Sequence, residues 1–201
     1  MMRIVIGYPS LDDPRGFVQV GQNRQSKIFS VGEEAAIFPC VMAWAATLLK
    51  QDGHEVIWQD GPAEGLTWLE QRTRLRQLRP DLILWEAKTP SIKRTCVKQV
   101  KQWLPSCRIV LCGDHVTAEP AESQAHCPVD VVLLGGDYDF GIQQIAREVS
   151  SPNLLPVIRA QWNEPTTNDL TTLPVIDRTL CQWKRYSRMG NYLYRPGTHG
   201  Y

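Results

Sequence analysis

No apolar run in this sequence approaches the roughly 18 residues of a membrane-spanning segment. No charged, apolar leader opens it either, because Met1-Met2-Arg3-Ile4 runs directly into a short apolar stretch. A membrane role is therefore not expected, and a cytoplasmic location is. Charge of one sign is also missing: 22 basic against 21 acidic residues leave +1, so no global field attracts nucleic acid. The six cysteines, at 40, 96, 107, 112, 127 and 181, include no C-x-x-C pair. Several lie in apolar runs, where a free thiol behaves as a small hydrophobe, so neither a disulfide framework nor a cysteine zinc site follows. Neither G-x-G-x-x-G nor G-x-x-x-x-G-K-[ST] occurs, which removes the usual marks of nicotinamide and nucleoside triphosphate binding. Ser10, Asp114 and His115 make a triad on paper, but without a G-x-S-x-G elbow a hydrolase is not indicated.

What is present is a regular alternation. Apolar runs at Arg3–Gly7, His54–Trp58, Asp81–Trp85, Ile109–Cys112 and Val131–Leu134 read as strands. Helical spacing follows each: Ile37, Val41, Trp44, Ala45 and Leu48 behind Pro39; Leu66, Leu69, Leu75 and Leu78 up to Pro80; Val97, Val100 and Trp103 within Ile92–Leu104; about Thr117 to Ala125; and Tyr138 to Val149. The arginines at 72, 74, 76 and 79 read as a solvated helix face. Near-continuous apolar strands alternating with helices predict a parallel sheet covered on both faces. The expected architecture is α/β, flavodoxin- or Rossmann-like, with five strands in the order 2-1-3-4-5 over residues 1–150. From Ser150 prolines 152, 156, 165 and 174 interrupt every candidate element, so 151–201 reads as a linker with an aromatic, basic end from Trp183 to Tyr201.

Two strand ends are cleared of side chains, at Gly113 and at Gly135-Gly136. In an open α/β sheet the ligand crevice lies beyond the carboxyl ends of the strands, and a residue without Cβ lets a ligand approach the backbone closely. A polar stretch from Leu11 to Val31 reads as a cover over those ends, or as a segment that orders when a ligand or second domain is present.

In order and spacing, several motifs resemble the N-terminal cobalamin-binding domain of the cobalamin-dependent radical S-adenosylmethionine (SAM) enzymes. They are the Pro39-led helix with Gly53-His54-Glu55-Val56 and Asp60; Pro80-Asp81-Leu82-Ile83; Val110 through Gly113-Asp114-His115-Val116-Thr117-Ala118; Val129-Asp130-Val131-Val132; and Leu173-Pro174 to Asp177-Arg178. The resemblance covers nearly the whole chain. It implies that cobalamin (vitamin B12) binds at Tyr8, Pro9, Ser10, Thr89, Pro90, Ser91, Gly113, Asp114, His115, Val116, Thr117, Gly135, Gly136 and Asp137.

Chemically, hydroxyls at Thr89, Ser91 and Thr117 suit the amides or phosphate of the cofactor, and free N–H groups at helix starts near Ser91 and Thr117 suit the phosphate. Thr89 and Ser91 read equally well as helix caps beside Pro90, and His115 as an ordinary loop histidine.

The sequence departs from the family in two ways. Its acidic turn after the fifth strand is here Gly135-Gly136-Asp137-Tyr138-Asp139, and no C-x-x-x-C-x-x-C is present to hold a [4Fe–4S] cluster. No catalysis is expected from these residues alone. The implied full-length protein is a methyltransferase whose iron–sulfur cluster and S-adenosylmethionine belong to a C-terminal radical SAM barrel, with Arg195–Tyr201 near where that barrel would start. Carriers of the methionine synthase type place D-x-H-x-x-G after the first strand. Here that loop reads Tyr8-Pro9-Ser10-Leu11-Asp12-Asp13, and no histidine precedes Pro39. Base-off cobalamin without a histidine ligand is the resulting expectation. A cofactor-free receiver-like or scaffold domain acting through protein contacts is the alternative.

Overall fold

Strand β1, Arg3–Tyr8, is the axis of the fold because both of its faces are apolar: Ile4, Ile6 and Tyr8 turn to one side of the sheet and Val5 to the other. The computed structural model describes residues 1–10, 18–19, 28–29, 38–87, 96–135, 138–159 and 169–188. A two-residue antiparallel pair, β2 (Val18–Gln19) and β3 (Ile28–Phe29), lies within the stretch read as loop. The remaining strands are β4 (Glu55–Asp60), β5 (Leu82–Glu86), β6 (Arg108–Cys112), β7 (Val131–Leu134) and β8 (Val157–Arg159). They join β1 in one parallel sheet, ordered β4-β1-β5-β6-β7-β8.

The sheet has six strands, not five. The sixth, β8, falls where only a linker was expected. Pro156 masks it in sequence, yet proline is tolerated just before a strand. Here its carbonyl accepts the N–H of Val132 at 2.9 Å and starts the pairing with β7.

Helices cover both faces. On the Ile4 side lie α1 (Cys40–Gln51) and α6 (Tyr138–Glu148); on the Val5 side lie α2 (Trp68–Leu78), α3 (Cys96–Trp103) and α4 (Asp114–Ala118), which contribute Leu75, Val100 and Val116. The alternation repeats in β5, β6 and β7, so each strand feeds two cores; burying an Ile, Leu or Val fully stabilises by about 1.5–3 kcal/mol. No helix among the described residues is long and apolar enough to cross a membrane.

Helix faces depart from the expected stripes for local reasons. In α1 the sheet-facing residues are Met42, Ala45, Ala46 and Leu49, while Trp44 reaches the carbonyl of Pro174 through its indole N–H at 3.0 Å. In α2, Leu69 faces solvent and Gln71 is fully buried instead. A Thr67–Glu70 capping box starts that helix and Arg79, in left-handed conformation before Pro80, ends it. The helix expected near 117–125 is two helices, α4 and α5 (Pro120–His126). Pro120 forces Glu119 out of helical conformation, to φ −129° and ψ 62°, and then opens the second helix.

Part of the 151–201 stretch folds back. Besides β8, the segment from Pro174 to Tyr186 packs on α1: Asp177 receives a 2.6 Å bond from Lys50 and gives its own N–H to Thr47, and Cys181 is buried beside the carbonyl of Ala43. Helix α7 (Trp183–Arg188) brings Tyr186, 2% exposed, into the core.

Candidate functional site

Strand order reverses between β1 and β5: the chain adds β4 on one side of β1 and everything from β5 onward on the other, all strands running parallel. This switch point, at the carboxyl ends of the strands, is where open α/β sheets hold ligands. Register places one residue from each strand along that edge. Asp60 stands opposite Tyr8, Glu86 opposite Cys112, and Tyr8 and Glu86 follow the paired Gly7 and Trp85. The Tyr8 hydroxyl donates to Glu86 Oε2 at 2.7 Å, bridging the switch point. Burial, reinforced by the charges of Glu86 and Asp60, holds the phenol of Tyr8 well above its usual range.

Asp60, at the end of β4, is a buried acid. Its Oδ2 accepts from the Tyr186 hydroxyl at 2.7 Å, its Oδ1 from the N–H of Ala63 at 3.0 Å, and Tyr186 in turn accepts the indole N–H of Trp58 at 3.0 Å. Removal from water outweighs these bonds and pushes the carboxyl up to about 6, with Glu64 and Glu86 adding repulsion.

The other strand ends are fastened by side chains from the covering helices. Gln71 of α2 accepts the N–H of Ser10 at 2.6 Å and donates to the carbonyl of Tyr8 at 2.9 Å. The Ser10 hydroxyl, fully buried, is turned toward Gly61 and has no hydrogen-bond partner among the described residues. Thr117 of α4 accepts the N–H of Gly135 at 2.9 Å and shares a 2.9 Å bond with the Tyr138 hydroxyl, tying β7, α4 and α6 together.

The expected site residues divide accordingly. Tyr8, Gly113, Asp114, Thr117 and Gly135 come together along this edge, with Asp114 exposed. Pro9 and Ser10 lie there too, but buried, with the polar groups of Ser10 turned inward. Val116 is fully buried in the Val5-side core, so its side chain serves packing. The Nε2 of His115 stands 3.2 Å from Glu122 Oε2 on α5, an ion pair when protonated. Thr89, Pro90, Ser91, Gly136 and Asp137 lie outside the described residues.

Gly113 is needed by the protein itself. Its φ of +119° belongs to glycine, and a Cβ there would stand 2.7 Å from the carbonyl oxygen of Ala87. A Gly113→Val side chain is incompatible with that contact and with the backbone conformation.

Sequence reading did not single out Glu86, Gln71, Tyr138 or Tyr186 as site residues. Glu86 carried a signal, being the polar residue that ends an apolar run; the other three are recruited by packing between distant elements. Among the described residues no group of three or more His, Cys, Asp and Glu is arranged to hold a metal ion.

No family model, curated protein or solved structure matches this chain. The fold defines the class: a Rossmann-like α/β domain with a polar, tyrosine-lined switch point.

Proposed function

We propose that this chain is a cobalamin-binding domain whose cofactor lies across the carboxyl edge of β1, β5, β6 and β7. One observation carries the reading: Tyr8–Ser10, Gly113–Thr117 and Gly135, far apart in sequence, meet along one edge over the switch point. The groups there suit a corrin, a broad apolar plate rimmed by amides that both donate and accept. Thr117 retains one hydrogen-bonding position beyond its bonds to Gly135 and Tyr138, Asp114 is exposed, and the backbone at Gly113 carries no side chain. When bound, the corrin would supply methyl-group chemistry. The role of these residues is to bind and orient it, while a radical SAM barrel holding S-adenosylmethionine and a [4Fe–4S] cluster would complete a methyltransferase.

A second reading, a cofactor-free scaffold domain, is favoured by the mutual satisfaction of the row: Tyr8 with Glu86, and Asp60 with Tyr186 and Ala63, hold the edge closed without a ligand. Incubation with hydroxocobalamin followed by gel filtration separates the two. The proposal expects a coloured protein with a perturbed corrin spectrum, weakened by Thr117→Val. A colourless protein rejects it. In the Co(II) form, the electron paramagnetic resonance spectrum is expected to lack the splitting of an axial nitrogen; a triplet would refute base-off binding without a histidine ligand.

A further inference from the structure

We infer that the opposite, amino-terminal edge of the sheet carries a separate binding site for a phosphate-bearing small molecule. A cavity of about 700 Å³ opens there, where β1, β5 and β6 begin and α2 and α3 end. That volume falls within the roughly 300–1,000 Å³ of small-molecule sites. Three guanidinium groups line it, from Arg76, Arg79 and Arg108, against a single carboxylate, Asp81.

The balance of partners leaves positive charge unspent. Asp81 accepts the N–H of Arg3 at 2.7 Å through its Oδ2, and Arg108 is paired with Asp130 at 2.8 Å. Arg76 and Arg79 make no side-chain hydrogen bond or ion pair among the described residues. Arg79 caps α2 through its backbone N–H to Leu75, and the guanidinium of Arg3 donates to the carbonyl of Leu78 at 2.8 Å, so the helix end does not use the side chains of Arg76 and Arg79.

Arg79 also stands in left-handed conformation, at φ 48°, where glycine or asparagine is the easier choice. That conformation ends α2 and leaves Arg79 among the residues that line the cavity. Guanidinium forks match phosphate oxygens two at a time, and Ser106 is also among the lining residues. This site is independent of the cobalamin reading, which concerns the other edge.

The test is calorimetric titration of inorganic pyrophosphate into the full chain at low ionic strength. Saturable binding tighter than about 1 mM is expected, weakening as salt is raised. Arg76→Gln and Arg79→Gly should each weaken it about tenfold or more. Glycine at 79 relieves the left-handed backbone, so that variant should unfold at an equal or higher temperature, and its lost binding cannot be ascribed to unfolding. Arg74→Gln, which breaks a pair with Glu64 outside the cavity, should bind as the parent does. The inference is overturned by absence of saturable binding, by unchanged binding in the Arg76 and Arg79 variants, or by equal loss in the Arg74 variant. Cobalamin retention by the same variants should be unchanged, so failure at one edge is distinguishable from failure at the other.

Discussion

The hydroxyl of Tyr186 donates to the carboxylate of Asp60 across 126 residues of chain, inside the core. One bond thereby fixes the returning segment to the end of β4 and gives a buried acid its principal side-chain donor.

Stability should carry the mark of Asp60. Its folded value of about 6 lies above the ordinary 3.8, so between those values the folded chain holds a proton that the unfolded chain has lost. Stability therefore falls as pH rises through that window, by up to about 3 kcal/mol at 1.36 kcal/mol for each pH interval of one. Asp52 and Asp177 act oppositely. Hydrogen bonds from Arg147 and Lys50 hold them below 3.8, so their contribution is lost only as pH falls below that value. Chemical unfolding of Asp60→Asn at pH 4 to 6 should show a flatter slope than the parent; an identical slope would place the titration elsewhere.

Tyr186→Phe leaves both Trp58 and Asp60 short of a buried partner, which costs about 1–3 kcal/mol for each group left unsatisfied. The loss should appear as a lower urea midpoint. Native-state hydrogen exchange should show the amides of Cys181 and Trp183, bonded to Asp177 and Arg178, protected in the parent and fast in the variant. Equal exchange in both proteins would mean that the segment is held by its contacts with α1 alone.

Gly113→Ala should destabilise by about 1–3 kcal/mol, the range for a residue forced into sparsely populated backbone conformation. The closeness of the Ala87 carbonyl, 2.7 Å from the added Cβ, favours the upper end. Thermal unfolding checks this. A neutral result would show that the β6–α4 junction relaxes freely.

Thr117→Val deletes the acceptor of the Gly135 N–H and the partner of Tyr138 without changing side-chain shape much. A loss of about 1–3 kcal/mol is expected from the stranded groups. Backbone exchange at Gly135 is the local readout, and an increase confined elsewhere would contradict the assigned role.

Much of this architecture is written in short-range pattern. Apolar runs in β1, β5, β6 and β7 are buried on both faces, so they stand out without knowledge of their neighbours, and glycine or polar residues mark where they end. What escapes is set by partners remote in sequence. Gln71 is buried in place of Leu69 because the end of β1 needs a donor and an acceptor, a demand that no feature of α2 reveals. Strand β8 is short, and of its residues only Ile158 packs against the core, so its place follows from the free edge of β7 rather than from its own composition. The edge residues were legible as loops following strands. Their bonding was not, since Thr117 and Tyr138 meet only after β7 has been placed.

The late position of Tyr186 in the chain also sets an order of events during synthesis. Strands β1, β4 and β5 can pair as soon as residue 86 has emerged, long before Tyr186 is translated. In that interval the carboxylate of Asp60 lacks the hydroxyl donor that Tyr186 supplies in the folded chain. When the final segment lands on α1, Tyr186 reaches Asp60, and the same group becomes a buried weak acid. Closing the core is therefore a proton-uptake event in the mildly acidic window between 3.8 and about 6, one that a ribosome-bound nascent chain stopped before Tyr186 has not yet made.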